Sequence, residues 1–216
     1  MKTIDAKSMD LKVLNSTLKN SVNGAPVKVK NAAHIDGLGA GFKHGEVVVE
    51  SDVGDYVGVL NAGATIHATQ AAGKYVGDNM TAGEIIIEGN AGYGVGQYCY
   101  GGTVVVRGNA GNFTATMNKG ATVIVSGNVG DEAATYMLKG DLVVVGNAGK
   151  NFANYLIRGN VYIGGQWETL GHNAKIEPLT DEDRAKLRAY FDAYQIKADP
   201  AVFKKIVAAS EKPFYN

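Results

Sequence analysis

The side chains that are able to do chemistry are few, and their spacing matches no known catalytic or metal-binding arrangement. The four histidines, His34, His44, His67 and His172, show no metal-ligand spacing. Cys99 has no neighbouring His or Lys that would activate its thiol. The adjacent carboxylates at 131 and 132 are typical of a solvated turn. The sequence therefore predicts no self-sufficient active site.

One glycine-rich segment superficially resembles a nucleotide-binding loop. Residues 92–96 read Gly-Tyr-Gly-Val-Gly after a predicted strand. A dinucleotide fingerprint needs Gly-x-Gly-x-x-Gly opening a helix and an acidic residue about 20 residues later. Here the segment leads to another strand, so we assign these glycines to structure and predict no bound cofactor or metal in this chain.

The elements around these residues repeat every 19 residues from Gly45 to Gly164. Two columns of small and polar residues stay in phase, which is the signature of a repeat protein. They consist of Gly54, Gly73, Gly92, Gly111, Gly130 and Gly149, and of Asn90, Asn109, Asn128 and Asn147.

Each repeat carries one short β-branched run bounded by Gly and Asn, such as Val47–Val49, which is typical of a strand. Nineteen residues are too few for a propeller blade, which needs about 40. The sequence predicts an all-β, right-handed parallel β-helix of about seven coils. We expect the Gly column to supply φ > 0 at the corners and the Asn side chains to form a ladder of amide–amide hydrogen bonds.

Strand parity divides each run into inward and outward positions. The columns that contain Val47 and Val49 are apolar and point inward, and most outward positions are polar. The central outward column is an exception, because it is also mainly apolar and needs a cover, either the chain's own termini or another protein. These candidate partner-facing residues are Val48, His67, Ile86, Val105, Ile124, Val143 and Tyr162.

We divide the chain into three parts. Residues 1–44 form an N-terminal extension with a short amphipathic helix around Leu11–Leu18 and a strand at Val27–Val29. Residues 45–164 form the β-helix, and residues 165–216 form a closing segment with two α-helices. The first of these begins after a capping box at Thr180, and the second begins at Asp199–Pro200 and contains Val202, Phe203, Ile206 and Val207.

Composition narrows the functional class. The 21 basic and 21 acidic residues balance, and the absence of a basic tract argues against nucleic acid as the main partner. A single cysteine excludes an internal disulfide and any iron–sulfur or four-thiolate zinc site within the chain. Without an apolar segment suited to a signal peptide or a membrane span, we expect a cytoplasmic protein with no membrane partner.

Several coil segments resemble the GXGXG domain, the β-helical C-terminal region of the glutamate synthase large subunit. The matching stretches are residues 54–58, 98–102, 111–113, 130–131 with 136–137, and 149–153, where residues other than Gly also occupy the family's positions. After Phe113 the chain departs from the family, which tends to carry arginines and Ser-Gly there.

A separate chain of this length resembles the middle subunit of split glutamate-synthase-type systems, such as N-methylglutamate synthase and the glx-type proteins. The resemblance implies a hetero-oligomer with an amidotransferase-like subunit and an FMN/iron–sulfur subunit, in which an amine is transferred to 2-oxoglutarate with reduction at FMN. FMN and the iron–sulfur cluster are expected in the partner, and this chain is expected to contribute structure.

Two alternatives stay open. The C subunit of formylmethanofuran dehydrogenase has a similar β-helix, and a molybdenum or tungsten partner would distinguish it. A stand-alone scaffold or binding protein is the third hypothesis, and it predicts a monomer whose termini cover the apolar column.

Overall fold

The computed structural model describes residues 1–22 and 24–212, which form a right-handed parallel β-helix with two α-helices. All strands belong to one sheet, in the order β1-β2-β3-β4-β5-β6-β7-β8-β9-β11-β10. The helices are α1 (Leu11–Ser21) and α2 (Asp181–Ala193). The strands are β1 (Lys2–Asp5), β2 (Val27–Lys30), β3 (Glu46–Val49), β4 (Ala62–Ala68), β5 (Ala82–Ile87), β6 (Thr103–Val106), β7 (Lys119–Val125), β8 (Lys139–Val144), β9 (Asn160–Ile163), β10 (Ala174–Glu177) and β11 (Lys204–Ala208).

The 19-residue period is the pairing register of the parallel strands. Val47 pairs with Ile66, which pairs with Ile85, and the same step continues to Val161 in β9. The predicted inward columns are fully buried and form one continuous core along the coils. A second side of each coil pairs through single parallel bridges that begin at Val53 and Ala72.

The third side of each coil uses left-handed backbone at three alternating positions. In one coil these are Tyr56 (φ 59°), Gly58 (φ 64°) and Leu60 (φ 58°). The alternation turns successive amides toward opposite neighbours, because the N–H groups of Tyr56 and Leu60 donate to the following coil and that of Gly58 to the preceding coil. These inter-coil hydrogen bonds offset the cost of left-handed conformation, about 1–2 kcal/mol per non-glycine residue.

The glycine column that we expected to supply φ > 0 is required for a different reason. None of Gly54, Gly73, Gly92, Gly111, Gly130 and Gly149 is left-handed. Instead, the backbones of successive coils approach so closely here that a Cβ on Gly111 would lie 2.8 Å from the carbonyl oxygen of Gly92. The conformational part of the prediction is wrong, because coil-to-coil distance and not chain direction excludes a side chain.

The Asn side chains make different hydrogen bonds from those of the predicted amide–amide ladder. Asn90 Oδ1 accepts a hydrogen bond from the backbone N–H of Asn109 at 2.8 Å, and Asn109, Asn128 and Asn147 repeat this contact. Each side chain thus satisfies the backbone of the following coil and does not bond to the next side-chain amide.

The N-terminal end of the β-helix is covered by α1, which confirms the predicted helix there. Leu14 and Leu18 are fully buried against the first coil. Asn15 makes the hydrogen bonds that a preceding coil would otherwise make to this coil. Its Nδ2 donates to Gly37 O at 3.0 Å, and its Oδ1 accepts from Gly39 N at 2.9 Å. Beyond the predicted strand β2, the parallel strand β1 extends the sheet further.

Replacing Asn15 with alanine is expected to lower the free energy of unfolding by about 2 kcal/mol, because two backbone groups at the buried end of the β-helix lose their partner. Chemical denaturation measures this change. Ser16→Ala is the matched control on the exposed face of α1 and is expected to leave stability unchanged. Equal stability of Asn15→Ala and wild type would contradict the capping role.

At the C-terminal end, the prediction of two helices is correct for the first and wrong for the second. The helix that begins after Thr180 is confirmed as α2, with its capping box. Asp199 caps only a 3-10 turn at Pro200–Val202, and the following residues form strand β11. This strand pairs antiparallel with β9 and β10, because the last coil would otherwise present an unpaired edge.

Candidate partner-binding face

The fold does not bring together the side chains that were considered as candidates for catalysis or metal binding. His34 contacts Met9 O at 3.1 Å near the N-terminal end, whereas His172 packs against the ring of Tyr155 at the opposite end. Within residues 1–22 and 24–212, no group of three or more His, Cys, Asp or Glu side chains is arranged to hold a metal ion. The same residues include no helix long and apolar enough to cross a bilayer.

Cys99 lies in the packed interior of the coils. Its Sγ donates to Gly77 O at 2.9 Å, and burial raises the pKa of the thiol to about 12. A thiol with this pKa stays protonated near neutral pH and is a poor nucleophile. The glycines of the segment 92–96 serve the coil, since Gly94 and Gly96 are left-handed and Gly92 lies against the preceding coil.

The candidate functional surface is the outward face of strands β2 to β9, whose central apolar column was expected to need a cover, either the chain's own termini or another protein. For four of its residues the cover is the C-terminal segment of the same chain, namely α2 and Phe203, so these four do not face a partner. Leu187 and Phe191 of α2 pack with Phe203 on this part of the face. The residues that become fully buried are Val105, Ile124, Val143 and Tyr162.

Helix α2 is held by hydrogen bonds to the polar columns on both sides of the apolar column. Tyr190 Oη donates to Asp141 Oδ2 at 2.7 Å, and Tyr194 Oη donates to Glu84 Oε1 at 2.7 Å. Burial raises the pKa of both tyrosines to about 12, so both remain donors near neutral pH. On the other side, Arg107 donates to the carbonyl of Tyr194, where α2 ends.

A buried polar cluster fixes the start of α2. Asp183 Oδ1 accepts from Tyr162 Oη at 2.6 Å and from Lys205 Nζ at 2.9 Å. Its Oδ2 accepts from Thr180 N at 2.9 Å and completes the capping box. Burial by itself raises the pKa of Asp183, but these hydrogen bonds outweigh it and hold the pKa well below its ordinary value.

The described part of the chain leaves the N-terminal end of the same face partly exposed. We define the open face as Val48, His67 and Ile86 of the central column together with Glu46 and Thr65 of the adjacent polar column. The three central residues are neighbours in register, and Ile86 also touches the edge of the α2 contact. Glu46 is exposed, and Thr65 is half-buried.

The open face is bounded by the carboxylates of Glu50 and Glu88 on one side and by a groove on the other. His67 Nε2 lies 2.8 Å from Glu88 Oε1, and Lys28 pairs with Glu50. On the side of Glu46 and Thr65, an open groove of about 660 Å³ is lined by Val22, Gly24, Ala25, Pro26, His44, Gly45, Glu46, Gly63 and Thr65. The arrangement offers apolar surface and carboxylate or hydroxyl acceptors, as expected of a protein-binding surface.

Sequence reasoning found the apolar column but missed the polar contacts that decide what covers it. The column with Glu46, Thr65, Glu84 and Asp141 was expected only to be polar, and no partner was predicted for it. Tyr190 and Tyr194 are one helical turn apart, and the acceptor column repeats every 19 residues. These two spacings are the sequence signal that connects the tyrosines of α2 with their acceptors.

Comparisons with known proteins agree with this architecture. One solved structure, the formyltransferase/hydrolase complex (FhcABCD) from Methylorubrum extorquens in complex with methylofuran, contains a chain with a TM-score of 0.71 and 23% identity. The alignment covers 91% of this chain and 85% of that chain, and at this identity it shows a shared fold. A search of curated proteins finds no match.

The family model described as the GXGXG motif matches residues 95–212, which is more than half of the chain. The match confirms the resemblance inferred from the coil segments, and the literal sequence Gly37-Leu38-Gly39-Ala40-Gly41 places glycine at three alternating left-handed positions of one coil. The protein therefore belongs to the GXGXG family.

Proposed function

We propose that this chain is a non-catalytic structural subunit of a hetero-oligomeric enzyme complex. The observation that carries the proposal is the strand face: its C-terminal part is covered by α2, and its N-terminal part offers apolar surface beside hydrogen-bond acceptors. The separation of the histidines and the protonated, buried Cys99 support a role in assembly for this chain. We place the complex in the cytoplasm.

The first candidate for the complex is a formyl-transferring assembly of the formylmethanofuran dehydrogenase type, to which this chain would contribute the C-like subunit. It is favoured by the structural neighbour, which belongs to a formyltransferase/hydrolase complex with methylofuran and aligns with 91% of this chain. In this case the partners carry the formyl-group chemistry, and the β-helix is the rigid element against which they assemble.

The second candidate is a glutamate-synthase-like complex, with N-methylglutamate synthase as the specific case. It is favoured by the residues other than glycine that match the glutamate synthase GXGXG domain, such as Tyr98 to Tyr100 and Asn151 to Phe152. The partners are then an amidotransferase-like subunit and an FMN/iron–sulfur subunit, and amine transfer to 2-oxoglutarate with reduction at FMN takes place in them.

Native mass spectrometry of the tagged chain, purified from its own host in low salt, tests the proposal. Co-purification with a formyl-transferring or a molybdenum- or tungsten-containing subunit supports the first candidate. A flavin- and iron-containing partner together with an amidotransferase-like chain supports the second. A monomer with no associated subunit would overturn the subunit role and leave the stand-alone scaffold as the function.

A further inference from the structure

We propose that the open face binds an amphipathic helix of a partner subunit. Apolar side chains of that helix lie on Val48 and His67, and its hydrogen-bond donors, Tyr or a cationic side chain, meet Glu46 and Thr65. This inference rests on the proposed function, because it names the surface and the partner element that a structural subunit of this kind uses.

The first support is that the same face already binds a helix. Because the coils repeat with constant register, the outward column has nearly the same geometry in each coil. Over Val105 to Tyr162 this surface accepts the apolar side of α2, with Leu187 and Phe191 buried on it. The open face is the continuation of that surface, so a second amphipathic helix meets the same shape.

The second support is hydrogen-bond complementarity. Where α2 binds, Glu84 and Asp141 of the adjacent polar column accept the hydroxyls of Tyr194 and Tyr190. One and two coils before Glu84, the same column holds Thr65 and Glu46. The acceptor column thus extends into the open face. A helix bound there is expected to carry hydrogen-bond donors, as α2 carries the tyrosine hydroxyls.

The third support is that the cluster formed by α2 does not include Val48 and His67 of the open face. The carbonyl of Tyr194, where α2 ends, is bound by Arg107, and the next residue, Gln195, is left-handed. At this boundary, Glu88 lies between Arg107, whose Nε is 3.7 Å away, and His67, whose Nε2 is 2.8 Å away. The part of the face beyond the boundary is therefore left for another chain.

The groove beside Glu46 and Thr65 fits an aromatic anchor of such a helix. Its volume of about 660 Å³ and its apolar walls at Val22 and Pro26 admit a ring, and Glu46 is placed to accept a hydroxyl at its rim. Aromatic anchors in pockets dominate many helix–groove interfaces. A second copy of this chain cannot supply the donors from α2, because its Tyr190 and Tyr194 are bound to its own Asp141 and Glu84.

The test compares recovery of the complex with tagged variants purified from the host. Val48→Glu places a charge on the apolar column of the open face and stays compatible with folding, since Lys28 is its neighbour in register. We expect at least a tenfold lower yield of associated subunits for Val48→Glu, and wild-type yields for Val48→Ile and for Val202→Glu, a control at the exposed 3-10 turn. If wild type assembles and Val48→Glu assembles equally well, this inference is overturned and the subunit role stands.

Photo-cross-linking makes the test independent of folding defects. A benzophenone amino acid at position 48 of the assembled complex is expected to cross-link to a helical segment of a partner subunit, and one at position 202 is not. A cross-link from position 48 to a second copy of this chain would overturn the inference. A wild-type chain that purifies as a monomer overturns it together with the proposed function.

Discussion

Replacing Gly111 with alanine is expected to lower the free energy of unfolding by about 3 kcal/mol, because the added methyl group forces stacked backbones apart. A Cβ at this position would lie 2.8 Å from the carbonyl carbon and oxygen of Gly92 and 2.9 Å from the amide nitrogen of Tyr93. All three are backbone atoms, so no side-chain rotation relieves the contact. Equilibrium denaturation with urea measures the loss.

Gly41→Ala is the matched control, since it makes the same chemical change at a position of the opposite kind. Gly41 is left-handed (φ 65°), and a Cβ added there would meet no atom within 4 Å outside its chain neighbours. Leu60 and Tyr98 occupy the same column in other coils with similar φ, so a side chain is tolerated there. Alanine at position 41 is expected to cost about 1 kcal/mol. Equal losses at 41 and 111 would contradict the prediction that contact between coils makes Gly111 the more costly position to substitute.

Replacing Asp183 with alanine is expected to lower the free energy of unfolding by about 3 kcal/mol and to detach α2 from the strand face. The change leaves the hydroxyl of Tyr162, which is fully buried, and the ammonium of Lys205 without their acceptor, and it removes the capping box at Thr180. Denaturation measures the stability, and hydrogen exchange of residues 181–193 measures the detachment.

Asp181→Ala is the control for this substitution, because Asp181 lies in the same helical turn but is fully exposed. It is expected to leave α2 protected from exchange. Unchanged exchange in α2 of the Asp183→Ala variant would refute the role of the buried cluster.

The same cluster predicts a pH dependence with a defined sign. The pKa of Asp183 is lower in the folded chain than its ordinary value of 3.8, so its contribution to stability is present above that value. The contribution is lost as the pH falls below about 4 toward the folded pKa. Wild type is therefore expected to lose stability over this range more steeply than Asp183→Asn. Parallel stability profiles of the two proteins would contradict the prediction.

In the role that we propose, the chain partly covers its own partner-binding surface. Helix α2 covers four residues of the apolar column and uses Tyr190 and Tyr194 to bond to the acceptor column. Sequence analysis offered the termini and a partner as alternative covers for the whole column. The structure assigns the C-terminal part to the terminus, and our proposal assigns the N-terminal part to the partner.

The amino-acid sequence by itself determined the repeat, its period and the inward columns. These follow from local chemistry: β-branched residues recur at a constant interval of 19, and parallel strands bury the residues that recur in phase. The first C-terminal helix was also predictable, because Thr180 and Asp183 form a capping box within four residues. Each of these features depends on neighbours in sequence or on the period.

Only the tertiary structure decided the backbone of the third side, the role of the glycine column and the cover of the apolar column. Tyr56, Leu60 and Met117 are left-handed although their residue types disfavour it, since hydrogen bonds between coils outweigh the local preference. The apolar residues after Pro200 have a helical spacing, yet they form strand β11, because this strand pairs with the edge of β9. The contact between Tyr194 and Glu84 joins residues 110 positions apart, and no local pattern encodes that distance.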